Sequence, residues 1–160
     1  MPTTQDRPPL TRRDFPVLWA VTTRWADNDM FGHLNNAVYY ELFDTAINGW
    51  IAHATGVDAM NLPAQGVVAE SGCTYLTAVG FPERLTVGVR LKRLGRSSVT
   101  YDLALFRGDI SGPDRLEADD TIAALGRWVH VYVDPDTRTS VPIPEPIRSL
   151  LEAHAPRLSP

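Results

Sequence analysis

The sequence predicts an α+β domain in which an antiparallel sheet wraps around one long helix. Residues 37–55 carry two adjacent apolar rows at helical spacing, a wider apolar face than a surface helix needs. The segments between residues 66 and 133 show instead the alternation and β-branched content of strands. Turns separate these segments, so we expect the last four strands to follow one another as an antiparallel meander.

Length and composition are typical of a single globular domain. The chain has 160 residues, of which 44% are hydrophobic and 21% are charged, and this is enough to bury a substantial core. The net charge of −4 argues against general nucleic-acid binding. The single cysteine, Cys73, excludes an internal disulfide framework and a cysteine-rich zinc site. Since no apolar run reaches about 18 residues, we expect a cytoplasmic protein without membrane association.

Proline and polar residues mark both ends of the chain. Residues 1–15 lack an apolar core segment, so they are expected to form a flexible tail and not a secretory signal. A short helix is expected near residues 147–153, followed by a C-terminal tail over residues 154–160. The single folded domain is therefore predicted to span residues 16–153.

The first strand and the long helix are the first elements that the pattern predicts. Residues 17–24 (VLWAVTTR) are rich in β-branched and aromatic residues and predict a strand. Gly56 is the expected stop signal of the helix. The two apolar rows of the helix consist of Val38, Leu42, Ala46 and Trp50, and of Tyr39, Phe43, Ile47 and Ile51.

Four further strands are expected after the helix. Residues 66–79 form a long β-type segment that ends before Gly80-Phe81-Pro82, and residues 85–91 and 98–107 alternate with a period of two. The stretch GDISGPDRLEADD is a predicted loop with several turn formers. The last predicted strand covers residues 121–133.

Polar residues are concentrated just before the long helix, where residues 24–40 read RWADNDMFGHLNNAVYY. A solvent-exposed loop has such a composition, and so does an active site built on a helix N-terminus. Together with SGCTYLTAV, VRLKRLGRSSVTYDLALF and a late VYVD before a proline-rich end, this motif resembles the 4-hydroxybenzoyl-CoA thioesterase family of acyl-CoA thioesterases. The resemblance covers residues 19–147. It implies the hotdog fold, with a five-stranded antiparallel sheet around the central helix.

The resemblance implies that Asp29, the second aspartate of the Asp-x-Asp pair, is the catalytic carboxylate. Aspartate has an unperturbed pKa of about 3.9 and is ionised at neutral pH, so it could act as nucleophile or as general base. On spacing alone, Asp-Asn-Asp is also typical of a turn. The N–H groups of residues 36–39 are expected to polarise the thioester carbonyl. Asn36 is predicted to donate to the thioester, to position water or to cap the helix.

Neighbouring residues are assigned supporting roles. Gly32 is expected to adopt a φ value, or permit a close approach, that a larger residue would forbid. Asn35 is expected to fix the loop by local hydrogen bonds, and Asp27 to hold it in place. His33 is assigned a structural role, either orienting Asp29 or lining the mouth of the site. A metal site built from Asp27, Asp29 and His33 fits no dedicated pattern, so no metal is predicted.

Further candidates lie on the helix and on the next strand. Tyr39 occupies the position of the family's helix tyrosine and is assigned to the substrate site. A backbone N–H near Ser71 or Gly72 is expected to supply a second donor to the carbonyl. Glu41 and Asp44 are kept as less favoured catalytic candidates, because a related thioesterase class places its carboxylate on the helix.

A basic cluster stands out against the acidic chain. It consists of Arg90, Lys92, Arg93 and Arg96, and the last two flank the predicted turn at Gly95. Arginine suits bidentate contact with the phosphates of coenzyme A, so Arg93 and Arg96 are predicted to bind them. A solvated strand face that discourages edge-to-edge aggregation explains the same charges equally well.

The sequence therefore predicts an acyl-CoA thioesterase that releases a carboxylic acid and free coenzyme A. Coenzyme A is then part of the substrate, and no cofactor is expected. The resemblance also implies a homodimer or homotetramer with sites at the interface. One alternative is a hotdog hydratase or dehydratase, which needs a differently spaced Asp/His pair. The other is a non-catalytic acyl-CoA-binding protein. The acyl group, and the choice between coenzyme A and acyl-carrier-protein thioesters, stay open.

Overall fold

A 20-residue helix packs against a five-stranded antiparallel sheet in the computed structural model, which describes residues 9–110 and 120–156. This confirms the predicted α+β architecture. Within these residues the strands are β1 (Val17–Thr22), β2 (Gln65–Tyr75), β3 (Arg84–Leu94), β4 (Ser98–Arg107) and β5 (Ile122–Val133), and the α-helices are α1 (Asn36–Thr55) and α2 (Ile147–His154).

Helix α1 ends where the sequence predicts. Gly56 adopts a left-handed conformation with φ 68°, and its N–H donates to the carbonyl of Ala52. This is the common glycine C-cap, because glycine has no Cβ to oppose a positive φ. The stop signal at Gly56 is confirmed.

The strand order is β1-β3-β4-β5-β2, and every pairing is antiparallel. Strands β3, β4 and β5 form the expected meander, but the prediction that β2 continues it is wrong. Strand β2 lies beside β5, in a register that runs from Gln65 opposite Val133 to Tyr75 opposite Ala124. Alternation along a strand shows which face is buried, but it does not show which strand lies next to it. Strands β1 and β2 are therefore the two edges of the sheet.

The apolar face of α1 forms the centre of the core. Phe43 is fully buried and lies so close to β5 that a Cβ on Gly126 would be 2.8 Å from its ring. Val38 is only half-buried, since it lies at the margin of the helix–sheet contact. The other seven residues of the two predicted rows are buried: Tyr39, Leu42, Phe43, Ala46, Ile47, Trp50 and Ile51.

The segment just before β1 is packed against the sheet. Arg12 is fully buried, and its guanidinium donates to the carbonyls of Arg107 and Gly108. Phe15 is also buried and meets Phe106 edge to face, with ring centroids 5.7 Å apart. The predicted flexible tail therefore does not extend to residue 15. Composition could not show this, because it does not reveal that an arginine donates hydrogen bonds to carbonyls of the sheet.

Helix α2 packs beside the C-terminal half of α1. The rings of His154 and Trp50 meet edge to face with centroids 5.0 Å apart. The observed bounds of α2 confirm the short helix predicted near residues 147–153. Residues 1–8 and 157–160, together with most of the predicted loop at 108–120, lie outside the described residues. Neither helix in the described part of the chain combines the length and apolar character of a bilayer-spanning segment.

We predict that Gly126→Ala lowers the free energy of unfolding by roughly 1–3 kcal/mol, the usual cost of overpacking a core. The added Cβ would lie 2.8 Å from the Phe43 ring and 3.1 Å from the Leu103 Cβ, and both side chains are buried. Gly72→Ala on β2 is the matched control, because nothing lies within 4 Å of its added Cβ. Urea unfolding of both variants is the measurement. Equal stability of the two would contradict the close packing of α1 on β5.

Candidate active site

The polar motif before α1 folds into a tight hairpin. Asn28 and Leu34 form an isolated antiparallel bridge, and the Asp29 N–H donates to the His33 carbonyl at 2.8 Å. Gly32 closes the turn with φ 79°, and its N–H donates to the Asp29 carbonyl at 3.1 Å. A positive φ of this kind favours glycine, so the backbone role expected for Gly32 is confirmed.

The Asp29 side chain accepts hydrogen bonds from the turn with only one of its two carboxylate oxygens. Its Oδ1 accepts the N–H of Phe31 at 2.9 Å and the N–H of His33 at 3.4 Å. No donor to Oδ2 is found within the described residues. The carboxylate is half-buried. The turn interpretation and the catalytic interpretation are therefore compatible, because one oxygen holds the hairpin and the other is available to a ligand.

Asp27 is the buried support of the hairpin. Its side chain is only 3% exposed, and it accepts the Arg24 N–H at 2.7 Å and the Arg24 guanidinium at 2.7 and 2.9 Å. These hydrogen bonds to Arg24 hold the pKa of Asp27 below its ordinary value. The Asp27 carbonyl also accepts the Asn35 N–H at 2.8 Å. The geometry agrees with the loop-holding role that the sequence analysis assigned to Asp27.

Asn35, and not Asn36, caps the helix. The Asn35 Oδ1 accepts the Ala37 N–H at 2.9 Å, which makes Asn36 the first helical residue and corrects the capping role considered for it. Asn36 is exposed, and its carbonyl accepts the Tyr75 hydroxyl at 3.0 Å. Its own N–H finds no acceptor in the described ranges, so it is free to donate at the positive end of the helix dipole.

Tyr39 lies behind the helix start and not on an open surface. It is 4% exposed and meets Tyr75 edge to face, with ring centroids 4.9 Å apart. Burial is the main cause that raises the pKa of Tyr39, and the nearby Cys73 and Asp29 add to it. Cys73 is half-buried against the core, and burial likewise raises the pKa of its thiol. The thiol is therefore protonated near neutral pH and behaves as a packing residue.

The segment after β2 holds the hairpin in position. The Leu34 N–H donates to the Val79 carbonyl at 2.7 Å, and the Phe81 N–H donates to the Asn28 Oδ1 at 2.9 Å. A Cβ on Gly80 would lie 3.0 Å from the same Asn28 oxygen. Asp29 therefore stands on a loop that is fixed on both sides.

Exposed apolar side chains surround Asp29. Trp25 is 83% exposed, Met30 is 93% exposed and Phe31 is 79% exposed. A cleft of about 340 Å³ lies beside Asp29, lined by Trp25, Asn28, Asp29, Met30, Gly32 and Phe81. The sequence analysis did not assign these apolar residues to the site, although apolar side chains within a polar motif could have indicated a binding surface. Exposed apolar patches of this kind mark binding surfaces.

Ser71 and Gly72 lie in the middle of β2, opposite Trp128 and Arg127 of β5. Strand β2 has no partner on its other side among the described strands, and most of its side chains are exposed. The β2 residue that contacts the start of α1 is Tyr75, three residues further along. The role of Ser71 and Gly72 as carbonyl donors stays a prediction.

Arg93 and Arg96 are far from Asp29 of the same chain. Phe81, which contacts the hairpin, precedes β3, whereas the two arginines lie at the other end of this 11-residue strand. At roughly 3.3 Å per residue, β3 separates them by about 30 Å. Both side chains are exposed, and neither forms an ion pair with another described residue. Within one chain the two arginines are thus not near Asp29, and their contact with coenzyme A stays a prediction.

The two less favoured catalytic candidates on α1, Glu41 and Asp44, already have polar partners. Glu41 is exposed and lies 3.7 Å from the Arg24 guanidinium. Asp44 accepts a hydrogen bond from Asn48 at 3.0 Å and lies 4.0 Å from the His130 imidazole. Neither residue contacts the hairpin through any hydrogen bond in the described ranges, so Asp29 remains the carboxylate at the start of the helix.

A five-stranded antiparallel sheet around a long helix, with a polar hairpin at the helix N-terminus, defines a domain of the hotdog class. Residues 23–151 match the sequence profile of the thioesterase-like superfamily. The match spans most of the chain, and the protein belongs to this superfamily. The resemblance inferred from the hairpin motif is confirmed.

Solved structures show the same architecture. The PA5185 protein from Pseudomonas aeruginosa is 38% identical, with a TM-score of 0.81 over 93% of this chain and 98% of that one. A thioesterase from Thermus thermophilus, solved in complex with coenzyme A and Zn, is 28% identical, with a TM-score of 0.67 over 86% of this chain and 98% of that one. Uncharacterized protein YsmA of Bacillus subtilis is 31% identical over 89 residues, which span 56% of this chain and only 60% of YsmA.

We predict that Asp27→Asn lowers the free energy of unfolding by roughly 1–3 kcal/mol at pH 7, because charged hydrogen bonds to Arg24 are lost. The folded-state pKa of Asp27 lies below its unfolded value, so this stabilisation is present above about pH 4 and is lost as the pH falls through the folded pKa. Urea unfolding between pH 7 and pH 3 measures it. Asp29→Asn is the control, because the amide oxygen still accepts from Phe31. If the difference in free energy of unfolding between wild type and Asp27→Asn does not decrease toward pH 3, the stabilising role assigned to the ionised Asp27 is wrong.

Proposed function

We propose that the protein hydrolyses acyl-CoA thioesters to a carboxylic acid and free coenzyme A. The observation that carries the proposal is the Asp29 carboxylate, held by the hairpin at the N-terminus of α1 with an Oδ2 to which no described residue donates. Membership of the thioesterase-like superfamily supports it, and so does the similarity to a thioesterase solved with coenzyme A.

In the nucleophilic route, the Asp29 Oδ2 adds to the thioester carbonyl. The C–S bond then breaks, the thiolate of coenzyme A leaves, and water hydrolyses the resulting anhydride to regenerate the carboxylate. In the general-base route, Oδ2 takes a proton from water while the water oxygen adds to the carbonyl, and the same C–S bond breaks. Both routes need an ionised carboxylate beside the carbonyl carbon, and both develop negative charge on the carbonyl oxygen.

The start of α1 is suited to stabilise that charge. The N–H of Asn36, which has no acceptor among the described residues, lies at the positive end of a 20-residue helix, and such donors stabilise an oxyanion. The exposed Asn36 side chain can donate to the same oxygen or hold the attacking water. His33 contributes through its backbone, which orients Asp29. In this proposal Gly32 and Asn35 fix the geometry of the loop, and Tyr39 forms the wall behind it.

We predict that Asp29→Asn lowers kcat for acyl-CoA hydrolysis by on the order of 10² or more, within the usual contribution of general-base catalysis. The substitution keeps the size of the side chain and its Oδ1 hydrogen bonds but removes the negative charge. The affinity for substrate should change much less, because the loop and the helix start are retained. Release of free thiol from a panel of acyl-CoAs measures kcat and KM.

Asp27→Asn is the matched comparison for this experiment, with circular dichroism to confirm that both variants fold. A folded Asp27→Asn should retain more activity than Asp29→Asn, because Asp27 is buried behind the hairpin. If Asp29→Asn works at the wild-type rate and Asp27→Asn is inactive, the two aspartates have been assigned in the wrong order. If both remain fully active, the proposed function fails.

We further propose that the active form is a homo-oligomer joined through the β2 edge. This 11-residue strand is exposed along most of its length and is an unprotected sheet edge in the described structure, which soluble proteins normally cover or blunt. The apolar patch around Asp29 adds a second uncovered surface. A neighbouring subunit would also be the means by which Arg93 and Arg96 reach a bound coenzyme A.

We predict that light scattering at micromolar concentration gives a mass of at least two chains. Val68→Asp on β2 should lower this mass, because it places a charge on an exposed apolar residue of the proposed interface. Met60→Asp is the control, since Met60 is more exposed but lies outside the sheet. A wild-type monomer, or dissociation by both variants alike, would contradict the β2 interface.

A further inference from the structure

A second cavity lies away from the hairpin. It has a volume of about 420 Å³ and is enclosed by the C-terminal half of α1, the first residues of β2, the last residues of β5 and the start of α2. Asn48, on its rim, is twelve residues along α1 from Asn36, which corresponds to about 18 Å at 1.5 Å per residue. The cavity therefore does not belong to the Asp29 cleft of the same chain.

The walls of this cavity are mainly apolar, with two buried polar side chains among them. Ile51 and Leu62 belong to the apolar lining. The buried polar groups are His130 and Tyr132, each 2% exposed, and the exposed side chains of Asn48 and Gln65 also line the cavity. The Tyr132 ring lies over Gly66, where a Cβ would be 3.2 Å from its Cζ. Volume and lining match small-molecule sites in proteins, which are mostly apolar with a few convergent polar groups.

Neither polar side chain has a hydrogen-bond partner within the described residues. The nearest charged group is the Asp44 carboxylate, 4.0 Å from the His130 Nε2, which is beyond hydrogen-bond distance. Neither His130 nor Tyr132 is among the described residues with a side-chain polar atom that is both shut off from solvent and without a partner, so their polar atoms are open to the space of the cavity. A ligand in the cavity can therefore supply hydrogen bonds that solvent supplies otherwise.

The charge states of His130 and Tyr132 indicate whether a charged or a neutral ligand fits the cavity. Burial lowers the pKa of His130 and raises the pKa of Tyr132 to about 12, so both side chains are neutral near pH 7. An anionic ligand would meet no cation here and would lie close to Asp44. Moving an unpaired carboxylate into such a site is strongly unfavourable. A neutral hydroxyl or carbonyl group can instead accept from Tyr132 and exchange a hydrogen bond with His130.

We propose that this cavity binds a small molecule with an apolar chain or ring that carries a neutral hydroxyl or carbonyl group, held by Tyr132 and His130. Binding at this cavity can be tested without catalysis, and only the identification of the ligand as an acyl group rests on the proposed function. The same chemistry has two sources. It could be the acyl part of a thioester that enters from a neighbouring subunit, or a separate small molecule.

The test uses 1-hexanol and hexanoate, which share a six-carbon chain but differ in the charge of the terminal group. Calorimetry at pH 7.5 on the full-length protein should show that 1-hexanol binds at least tenfold more tightly than hexanoate. Tyr132→Phe should weaken 1-hexanol binding on the order of tenfold, because one hydrogen bond is lost. Its fold should be retained, since the hydroxyl has no protein partner to lose.

Tyr101→Phe is the matched control for Tyr132→Phe. The Tyr101 hydroxyl is buried without a partner among the described residues, and Tyr101 does not line the cavity, so its removal should leave the affinity unchanged. Ala52→Trp should block the cavity, whereas Ala54→Trp, also exposed on α1 but outside the lining, should not. Equal affinity for hexanoate and 1-hexanol, or an unchanged affinity of Tyr132→Phe, would overturn the proposal.

Turnover distinguishes the two sources once binding is established. Competitive inhibition of hexanoyl-CoA hydrolysis by 1-hexanol, together with loss of hexanoyl-CoA turnover in Ala52→Trp but not in Ala54→Trp, would identify the ligand as the acyl part of the substrate. Binding without inhibition would identify a separate small molecule. Should the protein hydrolyse no acyl-CoA, the proposed function fails, and the calorimetric comparison still decides whether this cavity is a binding site.

Discussion

Helix α1 presents an apolar face two rows wide to the sheet, and its contact with β5 is close enough that Gly126 has no room for a side chain. Contact of this kind fixes both the rotation of the helix and its position along the strand, because close-packed interiors leave little freedom. The N-terminus of α1 is thereby held beside the hairpin, and its C-terminal half beside the second cavity. Both candidate sites depend on this one packing contact.

The two aspartates of the hairpin have different roles: Asp27 stabilises the fold, and Asp29 is the proposed reactive group. Asp27 is buried and bonded to Arg24, so its charge is fully committed to the fold. Asp29 commits Oδ1 to the N–H groups of the turn and leaves Oδ2 without a donor in the described residues. A carboxylate with one oxygen fixed is well oriented, since the reacting oxygen then cannot rotate freely.

The sequence predicted the elements well and their arrangement less well. Alternation identified β4 with its observed bounds, and the apolar rows with Gly56 identified α1. The place of β2 beside β5 could not be predicted, because it depends on long-range pairing. The helix cap was misplaced by one residue, since Asn35 and Asn36 are chemically identical there. The second cavity left no motif at all: Tyr132 and His130 meet the α1 residues only through the tertiary fold.

Three surface features of the single chain are consistent with the oligomer that we propose. In the described part of the chain, the edge of β2, the apolar side chains around Asp29 and the arginines at the end of β3 (Arg93 and Arg96) are three uncovered surfaces of different chemistry. Separately, each has a local explanation in solvation or in protection of an edge. An oligomer joined at β2 would cover the edge, and it offers a partner surface for the apolar patch. It would also bring basic groups toward a coenzyme A bound near another subunit's Asp29. On this view the domain supplies a carboxylate and a helix start, while the boundary of the substrate site is set by how the chains assemble.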